Sequence, residues 1–307
     1  NRIFRGSDFQ LKITVKFKLE KTMNNTRKIT NEEVMMLHML GILPRHIFGL
    51  AGHPMLDKAL KPGKLCKTLR LLLPQYGFTP GYPETLLLRA LHVMQAQKAA
   101  GVVTISCFDT YYPKRLLGID DFPPLIHCLG DCTLLSCDDV ITIVGTKEND
   151  DEGDRVSWRL GHELGIKHTV LSELSDGCNT AVLRGCLDGR GKPIVVSAQG
   201  LDMPLSPHLE NLRTEILDRG GVVFSEHPFS NKPSSRSLMK RVRLHAALSD
   251  MIIIAQSSAE QSDLSNVVKF ARYYHKPIKA WRYTAKNEVN AGNFNLIGSG
   301  VASSIVL

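Results

Sequence analysis

The densest charge chemistry in this sequence lies between Asn231 and His245. NKPSSRSLMKRVRLH holds Lys232, Arg236, Lys240, Arg241 and Arg243 with no acid among them. Arg236, Lys240 and Arg243 are spaced four and three apart, so a helix sets them on one face. Acid-free basic surface on one helix and its preceding loop suits tracking along phosphates, and a solvated surface helix carries the same pattern. A second candidate is the end of the run VITIV, where Gly145-Thr146-Lys147 precede a helical stretch. A strand–glycine–helix turn can offer free backbone amides to a phosphate. No GxGxxG or Walker pattern is present, which disfavours a dinucleotide or P-loop site. The acids that follow, Glu148, Asp150, Asp151, Glu152 and Asp154, read as a solvated helix cap, because carboxylates suit a helix start and oppose an anion there.

Three more strand ends carry polar residues of the kind that rim a site or make any tight turn. They are Ser172-Glu173-Leu174-Ser175-Asp176-Gly177-Cys178-Asn179, the loop QGLDMPLSPHLEN with Asp202, and Ser225-Glu226-His227-Pro228. No catalytic set accompanies them: GxSxG, HExxH and CxxC are all missing from the sequence. His162, His168, His208, His227 and His245 are scattered, and each is expected to be a surface or a satisfied core histidine. Cys128, Cys132 and Cys137 lie close together without two-residue spacing, so free thiols are expected rather than a zinc site. No catalytic residue, metal or cofactor is therefore expected, and nothing in the sequence requires an enzyme.

The elements that must position these residues follow from hydrophobic pattern. Apolar runs of strand length appear at VVTIS, LIHCLG, VITIVG, TVLSEL, PIVVSAQG, GVVFSE, DMIIIAQ and PIKAW. Amphipathic stretches such as WRLGHELG, TAVLRGCLDG, LENLRTEILDRG, LMKRVRLHAALSD and LSNVVKFARYYH lie between most of them from VITIVG onward. Buried strands alternating with helices predict an α/β fold with a doubly wound, mostly parallel sheet. Ligands in such sheets gather at the carboxyl ends of the strands, near the switch in strand order. Before residue 101 the grammar is helical. Thr30 or Asn31 can cap a helix with Glu32 and Glu33 in its first turn, and Gly and Pro separate further short helices. GILPRHIFGLAG is similar to helix-hairpin-helix DNA binders, but reads first as a helical packing module. Residues 1–22 contain the period-two run LKITVKFKL. They are read either as a peripheral strand or as a leader carried over from upstream, since Met23 begins an ordinary start. The expected organisation is thus a leader at 1–22, a helical domain at 23–100 and the α/β domain at 101–307.

Hydrophobic residues make up 43% and charged residues 22%, which describes an ordinary folded chain of one or two domains. A formal charge of +8 is compatible with a polyanionic partner, because cations that neutralise phosphates release condensed counterions. No apolar run reaches the roughly 18 residues a membrane span needs and no signal peptide is visible, so the expected location is cytoplasmic.

In sequence order the turns resemble one family along roughly residues 100 to 301. Tyr112-Pro113-Lys114-Arg115-Leu116-Leu117, followed by Asp121-Phe122-Pro123-Pro124-Leu125 and Gly130, is similar to the opening motif YPxxL…DxPxxLxxxG of the DNA-processing protein A (DprA/Smf) family. IVGTK resembles its IVGTR or IVGSR, SELSDGCN its SGLAxGID, GLDMPLSPHLEN its GxDxxYPxxN, and FSEHPF its SExP. Arg241 to Asp250 resembles RNRxxAGLSD, Gln261-Ser262-Asp263-Leu264 resembles SGSL, and GNFNLIGSGV resembles GxNxLIxxGA. The resemblance implies a Rossmann-like domain of the SLOG superfamily behind a small helical, SAM-like domain. It further implies a single-stranded-DNA-binding protein of DNA uptake and recombination, dimeric through the Rossmann domain, that protects the strand and helps load a RecA-type recombinase. In that picture Lys147 takes the place of the first-motif arginine, while Arg241 and Arg243 keep the paired arginines. Gly145, Thr146, Ser172, Gly177, Asn179, Lys232, Arg236, Leu238, Lys240 and Ser262 complete the expected DNA-contacting set.

The chain also departs from the pattern. Lys147 is a point charge where arginine would fork onto a phosphate. Glu173 replaces a glycine, adding bulk and negative charge at the pocket rim. Asn179 replaces an aspartate, Leu183 a histidine and Val242 an asparagine. Leu238 stands where an aromatic would stack on a base, a contact of ~1–3 kcal/mol. These changes keep two other readings open: a SLOG-type nucleotide sensor or nucleotide hydrolase, and a scaffold whose DNA pocket has decayed. Against the hydrolase stands the missing PGGxGT signature.

Overall fold

The computed structural model describes residues 29–51, 62–76, 83–259 and 262–307, with side chains left out at 48–51, 62–65, 72–73, 76 and 262–263. The expected leader at residues 1–22 lies outside the described residues, as does Gln261. Contacts divide the chain into two compact units. The first comprises the described residues up to Gln95 together with Ser106–Thr110 and Asp120–Leu125; the second comprises Ala96–Ile105, Tyr111–Ile119 and Ile126–Leu307.

The first unit is built on short helices. Thr30 opens α1 (Asn31–Met39) with a reciprocal capping box, its hydroxyl accepting from the Glu33 amide at 3.3 Å while the Glu33 carboxylate accepts from the Thr30 amide at 3.1 Å. Prolines open α2 (Pro44–Ala51), α3 (Pro62–Leu72) and α4 (Pro83–Ala99), where a missing N–H costs a helix nothing. Val34, Met35, Met36, Ile42, Ile47, Leu69 and Ala90 share a buried cluster that holds these helices together.

The second unit carries the sheet. Its strands are β1 (Val103–Ser106), β2 (Leu125–Gly130), β3 (Val140–Val144), β4 (Thr169–Ser172), β5 (Ile194–Ser197), β6 (Val222–Ser225), β7 (Met251–Ile254), β8 (Ile278–Trp281) and β9 (Ser303–Ile305). They lie in the order β1-β2-β6-β5-β4-β3-β7-β8-β9. From β6 to β9 every neighbour is parallel, while β2 pairs antiparallel with β6, His127 opposite Ser225. The chain proceeds outward from β3 through β4, β5 and β6, then returns to the other side of β3 with β7. The order therefore switches at β3, and the α/β, mostly parallel fold read from the sequence is the fold observed. All eight apolar runs became strands. The ninth strand, Ser303–Ile305, was not among them, because two exposed serines leave no apolar run to read.

The crossover helices are α5 (Asp151–Gly165), α6 (Cys178–Asp188), α7 (Pro207–Asp218), α8 (Ser235–Leu248) and α9 (Ser262–Tyr273), and α10 (Ala291–Gly298) precedes β9. The acid run does cap a helix: the Asp150 carboxylate accepts from the Gly153 amide at 2.7 Å, and Asp151, Glu152 and Asp154 fill the first turn of α5. On one face Val242 and Ala246 of α8 pack with Val144, Ile252, Ile254, Leu264 and Val267; on the other, Val156, Leu160 and Val182 pack with Ile141, Ile143 and Ile253. Among the described residues no helix is long and apolar enough to cross a membrane.

Candidate functional site

At the switch in strand order, a cleft of about 270 Å³ opens beside the carboxyl end of β3. It is lined by Gly145, Thr146 and Lys147 after β3, Glu173 after β4, Asn179 at the start of α6, and Arg241 and His245 from α8, among others.

Backbone bonds set the rim. The Thr146 amide donates to the Gln256 carbonyl at 2.9 Å, and the Thr146 carbonyl accepts from the Cys178 amide at 3.0 Å. The turn after β3 is thereby tied both to the loop after β7 and to the first residue of α6. Gly177 makes this approach possible. It sits at φ +72°, and a Cβ there would strike the carbonyl oxygens of Lys147 and Thr146. Asn179, buried at the start of α6, braces the same turn: its Oδ1 accepts from the Gly145 amide at 3.3 Å and its amide nitrogen donates to Ser175 Oγ at 2.8 Å. Ser172 is fully buried and donates to the Ile143 carbonyl at 2.9 Å. Thr146 is buried as well, and its hydroxyl accepts from the Glu148 amide at 3.1 Å. Only Lys147 and Glu148 of this turn project into solvent.

The floor is an ion pair. Arg241 Nη2 meets Glu173 Oε2, and the other carboxylate oxygen accepts from Ser175 Oγ at 2.9 Å and from Asn179 Nδ2 at 3.3 Å. Burial disfavours the Glu173 charge, but Arg241, with further help from His245, Ser175 and Lys147, outweighs it and holds the acid below its usual pKa. Arg241 Nε is buried and makes no hydrogen bond. One turn further along α8, His245 is buried with both ring nitrogens unbonded, and burial pushes its pKa down to about 4. The expectation of a satisfied histidine fails at this position: His245 lies beside the Arg241–Glu173 pair, yet no donor or acceptor reaches its ring nitrogens.

The other candidates lie elsewhere. Arg243 is buried and forks onto Glu226, both nitrogen–oxygen distances being 2.8 Å, with a further bond to the Lys240 carbonyl at 2.5 Å. The expected basic stripe is consequently split: Arg236 is exposed, Lys240 half-buried and Arg243 inside. Its physical cause is that α8 buries everything from Arg241 to Leu248, so charge spacing alone misreads its inner half as solvated. Lys232 is exposed in the preceding loop and Leu238 is half-buried; neither lines the cleft. Ser262 opens α9, and its side chain lies outside the described residues. Sequence reasoning flagged Glu173 only as added charge at a rim; its pairing with Arg241 came from the fold. Among the described residues no cluster of three or more His, Cys, Asp or Glu could hold a metal ion.

Residues 103–306 match the family model described as DNA recombination-mediator protein A. Among curated proteins the chain is 27% identical over 197 residues to Protein Smf of Synechocystis, covering 62% of this chain and 49% of that protein. It is 30% identical over 174 residues to DNA processing protein DprA of Bacillus subtilis, covering 56% and 58%. The chain thus spans about half the length of the curated relatives it matches. Among solved structures, DNA processing protein A of Helicobacter pylori, described for its single-stranded DNA binding mode, superposes with a TM-score of 0.60 at 26% identity, over 67% of this chain and 91% of that one. The fold is shared more fully with DprA of Streptococcus pneumoniae, at a TM-score of 0.70 and 23% identity over 91% and 95% of the two chains.

Proposed function

Because the chain belongs to the DNA recombination-mediator protein A family, we propose that it binds single-stranded DNA and acts in recombination without making or breaking a covalent bond. The observation that carries this reading is the meeting of Lys147 and Arg241 in one cleft at the switch in strand order, where doubly wound sheets bind ligands. Lys147 offers a mobile charge at the mouth and Arg241 a planar fork at the floor, two complementary ways of meeting a phosphate. Exposed Lys232 and Arg236 extend the basic path along the start of α8 and the loop before it. The helical unit serves as the SAM-like module, and the second unit as the Rossmann-like body through which two copies pair. In this role the protein protects a single strand in the cytoplasm and presents it to a RecA-type recombinase.

The Arg241–Glu173 pair also favours a second reading, a scaffold with a weakened DNA pocket, because it leaves one of the two cleft cations already partnered. Titrating oligo-dT and a duplex of equal length across a salt series separates the two. The single strand is expected to bind more tightly, with affinity falling linearly in log salt. Lys147→Ala should weaken it and flatten the slope by about 0.7, one phosphate contact on a single strand. Undetectable or salt-independent binding overturns the DNA reading and leaves the scaffold.

A further inference from the structure

Charged groups in the cleft cancel. Lys147 and Arg241 stand against Glu148 and Glu173, and His245 is neutral at pH 7. The two acids are placed differently. Glu148 is exposed at the mouth, whereas Glu173 is buried at the floor and held from three sides by Arg241, Ser175 and Asn179. Such a carboxylate does not swing away when a second anion arrives, since leaving would strand Arg241 and the Ser175 hydroxyl without an acceptor. A phosphate reaching Arg241 must then share the guanidinium with Glu173 at close range, where surrounding protein screens little of the repulsion. Arg241 lines the cleft and meets only one oxygen of Glu173, so its guanidinium is the group that an entering phosphate would contest.

We propose that Glu173 is an internal counter-anion that competes with an incoming phosphate group for Arg241 and so sets the anion affinity of the cleft. Applied to DNA, this rests on the single-strand reading above; applied to a free phosphate, it does not. Glu173 is then a residue that tunes ligand affinity through Arg241 without touching the ligand favourably itself.

Two probes test it, oligo-dT and inorganic pyrophosphate, titrated against wild type, Glu173→Gln, Glu148→Gln and the double variant Glu173→Gln with Arg241→Gln. Glu173→Gln should bind pyrophosphate about tenfold more tightly, whereas Glu148→Gln, the same charge change away from Arg241, should gain about twofold or less. The double variant should lose the Glu173→Gln gain, because without Arg241 there is no guanidinium for Glu173 to contest; replacing both members of a buried pair together is also the substitution most compatible with folding. If Glu173→Gln does not fold, Glu173→Gly, which admits water beside Arg241, is expected to show the same gain. No gain from either Glu173 variant, an equal gain from Glu148→Gln, or a double variant that keeps the full Glu173→Gln gain overturns the proposal. A pyrophosphate gain with no oligo-dT binding in any variant keeps Glu173 in this role and removes the DNA reading. Oligo-dT binding that Lys147→Ala weakens, with neither probe responding to Glu173→Gln, does the reverse.

Discussion

Two arginines two residues apart on α8 both meet a glutamate, and the structure uses them for opposite ends. Exposure does not separate them: Arg243 and Glu226 are 3% and 7% exposed, Arg241 and Glu173 are 9% and 11%. Geometry does. Arg243 engages both carboxylate oxygens of Glu226 and a backbone carbonyl, which closes the pair on itself. Arg241 meets one oxygen of Glu173, shares that acid with Ser175 and Asn179, and lines the cleft. A closed pair locks the helix in place; an open one can exchange partners. Burial of an ion pair therefore says little about its role until the remaining valences are counted.

The comparison breaks most visibly at the closed pair. Arg243→Ala leaves Glu226 buried without its fork and should destabilise the protein by about 3–5 kcal/mol, read as a shift in urea midpoint with unchanged m-value. If Arg243 were instead a ligand contact, the loss would appear in DNA affinity and the midpoint would stay put.

A smaller effect belongs to the open pair, where His245 lies among Glu173 and Arg241. Its folded pKa of about 4 lies below the ordinary 6.5, so the unfolded chain takes up the proton first. The corresponding stability is complete above pH 6.5 and is lost as pH falls toward 4, by roughly 2–3 kcal/mol at pH 4.5. His245→Leu should remove that part of the decline when urea midpoints at pH 7 and pH 4.5 are compared. Glu173 and Glu226, both held below the usual carboxylate pKa, contribute stability that is present above about pH 4.5 and lost only as pH falls further. The two windows can thus be told apart.

Least costly to the fold, yet confined to the cleft, is Gly177→Ala. A side chain at φ +72° that also strikes the carbonyls of Lys147 and Thr146 should cost about 1–3 kcal/mol. It should also lower oligo-dT affinity by displacing Lys147, while the Arg243–Glu226 pair keeps its contribution.

The sequence made the fold legible wherever burial was continuous. β3 to β7 are near-continuous apolar runs because both their faces are covered, β8 is broken by Lys279, and such runs can be read without knowing their neighbours. The antiparallel placement of β2 against β6 had no such signal, since pairing direction is set by partners far along the chain. In the site, Gly145, Lys147 and Arg241 were legible as a group from ordered turns. The burial of Arg243 was not, because its partner Glu226 is remote in sequence and a basic residue at helical spacing carries the same pattern whether it faces water or an acid. His245 was hidden for the converse reason: one polar residue on an apolar face leaves the hydrophobic period intact.

The turn after β3, tied by Thr146 to Gln256 and Cys178, has a kinetic consequence. Its backbone is already in place when a ligand arrives, so docking there includes no ordering step. Lys147, projecting from a fixed turn into solvent, acts on how often a strand is captured. Arg241 and Glu173, enclosed at the floor, act on how long it stays. Variants of equal equilibrium effect at these positions should thus separate in a stopped-flow experiment, one class changing arrival and the other departure.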